Sequence, residues 1–349
     1  MTHLAAGTSL GLLLAAFLLH VQSWSIPILR FPAGLDSQEA NLASPPDRGT
    51  LAVLRRDGIL VPFAAFKGTE WSMPWPADMR GREVPIGLDD VPDSWWGGKL
   101  PTGWHVRLAS GANRPIAPQS LKQFPVFCQM RLGIGTDYRS SEPLPSGPVA
   151  PFPKDGLAVT SGVDLLPIEI VARASPEASQ LAVTLAREFQ DVEDRTVANV
   201  QMGSGWRHPF KKAEREKLPV RIEAWYRAPI EEPGSTASYI EAVRAYPPRQ
   251  GDAGCGLETL FSGWIVHDER QAKPRAELSA KITYCDRVGG MYMLPFGRIR
   301  LNDRHFWVFQ FSGYEEEWYE VVRILPRSVK FEAEFFAGSR RGCVTRRRE

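Results

Sequence analysis

From residue 218 to the end of the chain, strand-like runs follow one another with only short links between them. They read LPVRIEAWYR, SYIEAVRAY, CGLETLFSGWIVH, AELSAKITYCD, MYMLPFGRIR, HFWVFQFSG, EWYEVVRIL and SVKFEAEFF. Each run is short, rich in β-branched and aromatic residues and bounded by turn formers, a pattern of strands rather than helices. Eight in succession predict an antiparallel meander that closes as a barrel or folds as a sandwich. Within the last run, Phe331-Glu332-Ala333-Glu334-Phe335 alternates strictly, which predicts an apolar side and a solvated acidic side. Leu301-Asn302-Asp303-Arg304 supplies turn chemistry between two of the runs.

The rest of the chain is read against that C-terminal core. Residues 50–66 hold two apolar runs about Asp57-Gly58, a pair suited to the positive φ of a tight hairpin turn, and Pro62 requires an edge or a bulge in its strand. Residues 67–104 carry Trp71, Trp75, Trp95, Trp96 and Trp104 among prolines, glycines and aspartates, an irregular aromatic connection. Residues 142–156 hold prolines at 143, 145, 148, 151 and 153, a composition of extended, weakly packed chain. The expected organisation is a smaller β-rich, Trp/Pro-rich region over 25–141, a linker over 142–156 and a β-meander domain over 157–338. A basic tail over 339–349 follows. One amphipathic helix is predicted over 176–193, with Ser175 as N-cap, Pro176 at the first helical position and apolar residues from Ala178 to Val192 on one face.

The fold class is therefore mainly β, and the 29 prolines, 30 glycines and 11 tryptophans suit many short strands joined by tight turns. At 349 residues the chain exceeds one ordinary core, and two are expected. A formal net charge of +2 gives no field to recruit nucleic acid, and no nucleic-acid partner is expected.

Residues 4–21, LAAGTSLGLLLAAFLLHV, form an uncharged apolar stretch that reads as an export signal or anchor within 1–24. No Lys or Arg precedes it, and Gly7, Thr8, Ser9 and Gly11 dilute it as a membrane span. Cleaved signal, retained anchor and buried helix all remain open from the residues alone. The expected location is extracytoplasmic, with membrane contact only through this segment if it is retained.

Cys128, Cys255, Cys285 and Cys343 are an even number without C-x-x-C spacing, which favours disulfides over a zinc site. A hairpin turning near Arg270 places opposite each other residues whose numbers sum to about 540, which predicts a Cys255–Cys285 bridge. The loop so closed is about 30 residues long, worth about 3 kcal/mol through the unfolded chain.

No motif assigns a chemistry. The one G-x-S-x-G match, residues 7–11, lies inside the apolar segment, and neither a P-loop nor G-x-G-x-x-G occurs, so no cofactor is expected. His267-Asp268-Glu269 places an imidazole beside two carboxylates, but adjacent strand residues point to opposite faces. Glu315-Glu316-Glu317 reads as a solvated acidic turn. Phe261-Ser262-Gly263-Trp264 and Phe311-Ser312-Gly313-Tyr314 share F-S-G-aromatic, in which glycine permits a bend and the aromatics pack on opposite sides. Trp95, Trp96, Trp264, His267 and Tyr314 are the candidate ligand contacts, because exposed indoles and phenols stack on sugar faces. The reading that results is a non-enzymatic exported protein that binds a glycan or another envelope protein. The alternative is an extracytoplasmic polysaccharide hydrolase working with paired carboxylates.

Overall fold

A computed structural model describes residues 48–339, apart from 102, 109–110, 128, 148–151, 249–255, 272, 285–291 and 313–315. The chain is mainly β, with antiparallel pairing throughout the described sheets. All four cysteines, Tyr314, the apolar segment and residues 340–349 of the basic tail lie outside the described residues.

The first sheet is built from β1 (Arg48–Arg55), β2 (Ile59–Lys67), β3 (Glu70–Ser72), β4 (Trp104–Leu108), β5 (Asn113–Ile116), β6 (Pro118–Val126), β7 (Gln129–Thr136) and β8 (Lys154–Thr160). The expected hairpin is β1–β2. Gly58 takes φ 81° at its turn, and Asp57 Oδ1 accepts from Ile59 N at 3.3 Å. The ladder shifts where Ala52 faces Pro62 and Leu51 faces Ala64, so the strand bulges at the proline, which cannot donate to it.

The proline-rich segment does not end where its composition suggests. Its last residues, Lys154 to Gly156, open β8, which pairs with both β1 and β4 in the middle of the first sheet. Residues 43–349 form one compact unit.

After β8 the chain lays β9 (Asp164–Leu166) and β10 (Glu169–Ile170), then α1 (Pro176–Thr184), α2 (Ala186–Ser204) and α3 (Lys212–Arg215). Ser175 caps α1, its Oγ accepting from Ala178 N at 3.1 Å. The predicted single helix is two, with Leu185 at the joint, and α2 continues past Glu193 to Ser204. It stops where Gly205 supplies the left-handed φ of 69° that ends helices.

The eight C-terminal runs are all strands. β11 (Arg221–Pro229), β12 (Ser235–Ala245), β13 (Leu257–Asp268) and β14 (Arg275–Tyr284) make the second sheet with β10. β15 (Tyr292–Leu301), β16 (Arg304–Ser312), β17 (Glu316–Leu325) and β18 (Ser328–Ser339) make the third with β9. Asn302 and Asp303, at φ 49° and 57°, form the tight turn between β15 and β16. The β13–β14 ladder pairs Leu257 with Tyr284 and Val266 with Arg275, one residue displaced from the register behind the proposed Cys255–Cys285 bridge.

The sheets stack as sandwiches with the third sheet in the middle. One of its faces, with Phe306, Val308, Tyr319 and Val321, packs on Leu51, Phe63 and Val159 of the first sheet. Its other face, with Trp307, Phe309, Phe311 and Val322, packs on Tyr239 and Trp264 of the second. The outer face of the second sheet buries Ile222, Trp225, Ile240 and Phe261 against Leu185, Phe189 and Val192 of the helices. The tryptophan-rich connection covers the outer face of the first sheet with Trp75, Met79, Val91 and Trp96.

Glu317, read as part of a solvated acidic turn, is instead buried, and a second charged group is buried elsewhere in the fold. Glu317 lies between the first and third sheets, held by Lys154 Nζ at 2.5 Å and by the Tyr319 hydroxyl at 2.6 Å. The basic segment 206–217 is anchored by Arg215, which is buried and binds Glu193 through Nε at 3.2 Å.

Candidate functional site

A cleft of about 690 Å³ opens between the second and third sheets. It lies towards β14 and β18, the terminal strands of their sheets. Side-chain size explains why the sandwich fails to close there. Deeper in, Tyr239, Trp264 and Phe309 fill the gap, with Tyr239 and Trp264 each edge-on to Phe309 at 5.2 and 4.9 Å between centroids. Toward the outer strands the second sheet presents the directly opposed pair Ser262 and Ser279, whose hydroxyl oxygens are 3.1 Å apart. Two serines cannot reach the facing sheet, and the unfilled volume is the cleft.

The third sheet supplies the aromatic wall. Phe311 and Trp318 stack with centroids 4.9 Å apart and planes 3° from parallel. Phe331 stands beside them with 64% of its surface exposed, an unusual state for so large an apolar side chain. A bulge puts it there: Val321 pairs with Ala333 but Val322 with Phe331, so Glu332 is skipped and the alternation is interrupted. Phe331 consequently faces the cleft, whereas Phe335 is buried in the core against the first sheet. The strict alternation expected for residues 331–335 therefore fails at its first member.

Carboxylates enter the cleft from both sides. Glu223, Glu241 and Glu277 come from the second sheet and Glu320 from the third, with Lys281 also in the lining. Trp318 Nε1 donates to Glu320 Oε1 at 3.0 Å, while Glu320 Oε2 is buried with no hydrogen-bond partner among the described residues. Burial pushes the Glu320 carboxyl above its ordinary range; the Trp318 hydrogen bond opposes the shift and the neighbouring Glu334 adds to it. The Tyr239 hydroxyl is likewise pushed well up, first by burial and then by Glu241, to which it donates at 3.2 Å.

The candidate contacts separate in space. Trp264 forms the inner wall of the cleft but is only 4% exposed, a packing residue with one edge on the cavity. Gly263 beside it admits no side chain, because a Cβ would lie 2.1 Å from the Glu277 carbonyl oxygen. Phe261 and Trp264 pack on opposite sides of the sheet, as F-S-G-aromatic implies. Trp96 is 3% exposed and packs in the core of the first sheet, so it is unavailable to a ligand. Trp95 is half-buried against Trp75, also in that core. His267 is exposed on β13 outside the cleft lining. Its neighbour Asp268 is held down to about 2 by Arg270, whose Nε donates at 2.9 Å, so this cluster is a turn clasp. No group of potential metal ligands occurs among the described residues.

Phe331, Trp318 and Glu320 were not legible as site residues. Among them only Trp318 carried a signal, as an aromatic two positions from a glutamate on one strand face.

A second cavity, of about 960 Å³, lies between α1, α2 and the start of β11. Several of its charged groups are paired within the protein: Arg187 with Asp191, Arg221 with Glu223, Lys212 with Asp194 and Arg244 with Glu193. The cleft between the sheets, with its exposed ring and a carboxylate oxygen that has no partner among the described residues, is the stronger candidate. Comparison with family models, with curated proteins and with solved structures finds no match to this chain.

Proposed function

We propose that this is an exported, non-enzymatic glycan-binding protein whose site is the cleft between the second and third sheets. The observation that carries the reading is Phe331, an exposed ring beside the Phe311–Trp318 stack, above a serine floor and amid carboxylate acceptors. A sugar ring has an apolar CH face and a rim of hydroxyl donors. Aromatic faces take the first and carboxylates the second. Export rests on the apolar segment 4–21. Screening the full chain and Phe331→Ala against immobilised envelope glycans tests the reading. Saturable binding that the variant weakens supports it; equal binding by both places the site elsewhere.

A hydrolase is the second reading, favoured by the raised carboxyl of Glu320 and by Glu241 entering from the opposite sheet. Release of reducing ends from a bound polysaccharide, abolished by Glu320→Gln, would establish it in place of simple binding.

A further inference from the structure

We propose that Lys154 and Glu317 condense into an amide that ties the first sheet covalently to the third. Lys154 stands at the start of β8 and Glu317 near the start of β17, with Nζ 2.5 Å from Oε1. Each side chain is only 6% exposed. Tyr319, whose hydroxyl donates to the same carboxyl oxygen at 2.6 Å, is stacked on Phe63 at 4.6 Å in the core between those sheets. Arg55 beside them has its own carboxylate in Asp57, at 2.6 Å, so Glu317 is left to Lys154.

In water such an amide hydrolyses, because the amine and acid it releases gain the hydration of an ammonium and a carboxylate. Burial withdraws that gain. Two ions taken out of water carry a desolvation cost that their mutual attraction need not repay, whereas the amide carries neither charge. Its carbonyl oxygen keeps the Tyr319 hydroxyl as donor. Juxtaposition in a packed core supplies the rate, since groups held in contact react as though at about 10⁵ M or more.

The step balances without a co-reactant. The ammonium gives up a proton, the amine lone pair forms a bond to the Glu317 carboxyl carbon, and one carbon–oxygen bond of that carboxyl breaks. The oxygen leaves as water with two of the ammonium hydrogens, and the third stays on the amide nitrogen. Burial, opposed by Glu317 and aided by Arg55, lowers the Lys154 ammonium below the ordinary lysine range, which favours the neutral amine that attacks. Negative charge gathers on the carboxyl oxygen in the tetrahedral intermediate. The Tyr319 hydroxyl and the charge of the buried Arg131, which acts on Glu317, stabilise it there.

Peptide mapping of the full chain tests this, after unfolding in guanidinium and digestion with trypsin, which cuts after a lysine only when its amine is free. The parent should yield a branched peptide joining Lys154 to Glu317, lighter by one water than its two linear parts, with no cut after Lys154. Lys154→Arg keeps a cation but has no primary amine, and should return the Glu317 peptide in linear form at its full mass. Linear peptides from the parent, with the chain cut after Lys154 and Glu317 unmodified, overturn the proposal and leave an ion pair. A branched peptide that persists in Lys154→Arg, or that joins Lys154 to another carboxyl, overturns it as well. The parent digest is decisive even where the variant fails to fold.

Discussion

Trp318 Nε1 donates to Glu320 Oε1 at 3.0 Å across two residues of β17, and the other oxygen of that carboxylate is buried without a partner among the described residues. One hydrogen bond does not offset the loss of water around a charge, so the proton is retained to higher pH in the folded state. The fold then holds a proton that the unfolded chain releases. Stability falls as pH rises from the ordinary glutamate range through the raised value of Glu320. Glu320→Gln should therefore unfold at a higher temperature than the parent at neutral pH. The advantage should disappear once pH drops below the ordinary glutamate range. Calorimetric scans across that window check it, and a variant less stable at neutral pH contradicts it.

The charge network under α2 should behave in the opposite sense. Glu193 is fully buried and receives Arg244, Arg215 and the Tyr246 hydroxyl, with Arg215 Nε at 3.2 Å. Its removal leaves two buried guanidinium groups short of a counter-charge, a loss of about 3–5 kcal/mol. Urea unfolding of Glu193→Ala should show the midpoint falling with little change in slope. A loss under about 1 kcal/mol would mean that water or the remaining Asp194 and Gln190 compensate.

Limited proteolysis should cut first between Glu142 and Gly147, where the chain is mostly exposed, and should spare β8. Because β8 pairs with both β1 and β4, the fragments should stay together under native conditions. Fragments that separate on a sizing column would show two independent domains instead.

Export predicts a mature N-terminus near Ser23 or Ser25, after the apolar segment 4–21. Intact-mass measurement of the natural product finds it. A full-length chain beginning at Met1 in a soluble cytoplasmic fraction removes the exported part of the proposal.

The strands were legible because alternation and turn chemistry are local: all eight C-terminal runs pair, and Asn302-Asp303 turns as its residues require. What escaped the sequence depends on partners distant in the chain. Glu193 looked like the polar end of a helix, yet β12 reaches it with Arg244 and the helix continues. Lys154 looked like linker until β1 and β4 claimed its strand. The cleft was least legible of all. Ser262, Phe331 and Glu320 come from three strands, and a one-residue bulge opposite Val322 decides which way Phe331 points. Trp264, read as a candidate ligand contact, fills the inner wall of the cleft.

The cleft as the binding site is tested most directly by titrating the parent chain and Phe331→Ala with the tightest-binding oligosaccharide from the glycan screen. Phe331 is largely exposed, so its truncation should leave the unfolding temperature unchanged. Loss of a phenyl contact worth about 1.5 kcal/mol predicts roughly tenfold weaker binding by the variant. Unchanged affinity in a folded Phe331→Ala variant would contradict the account.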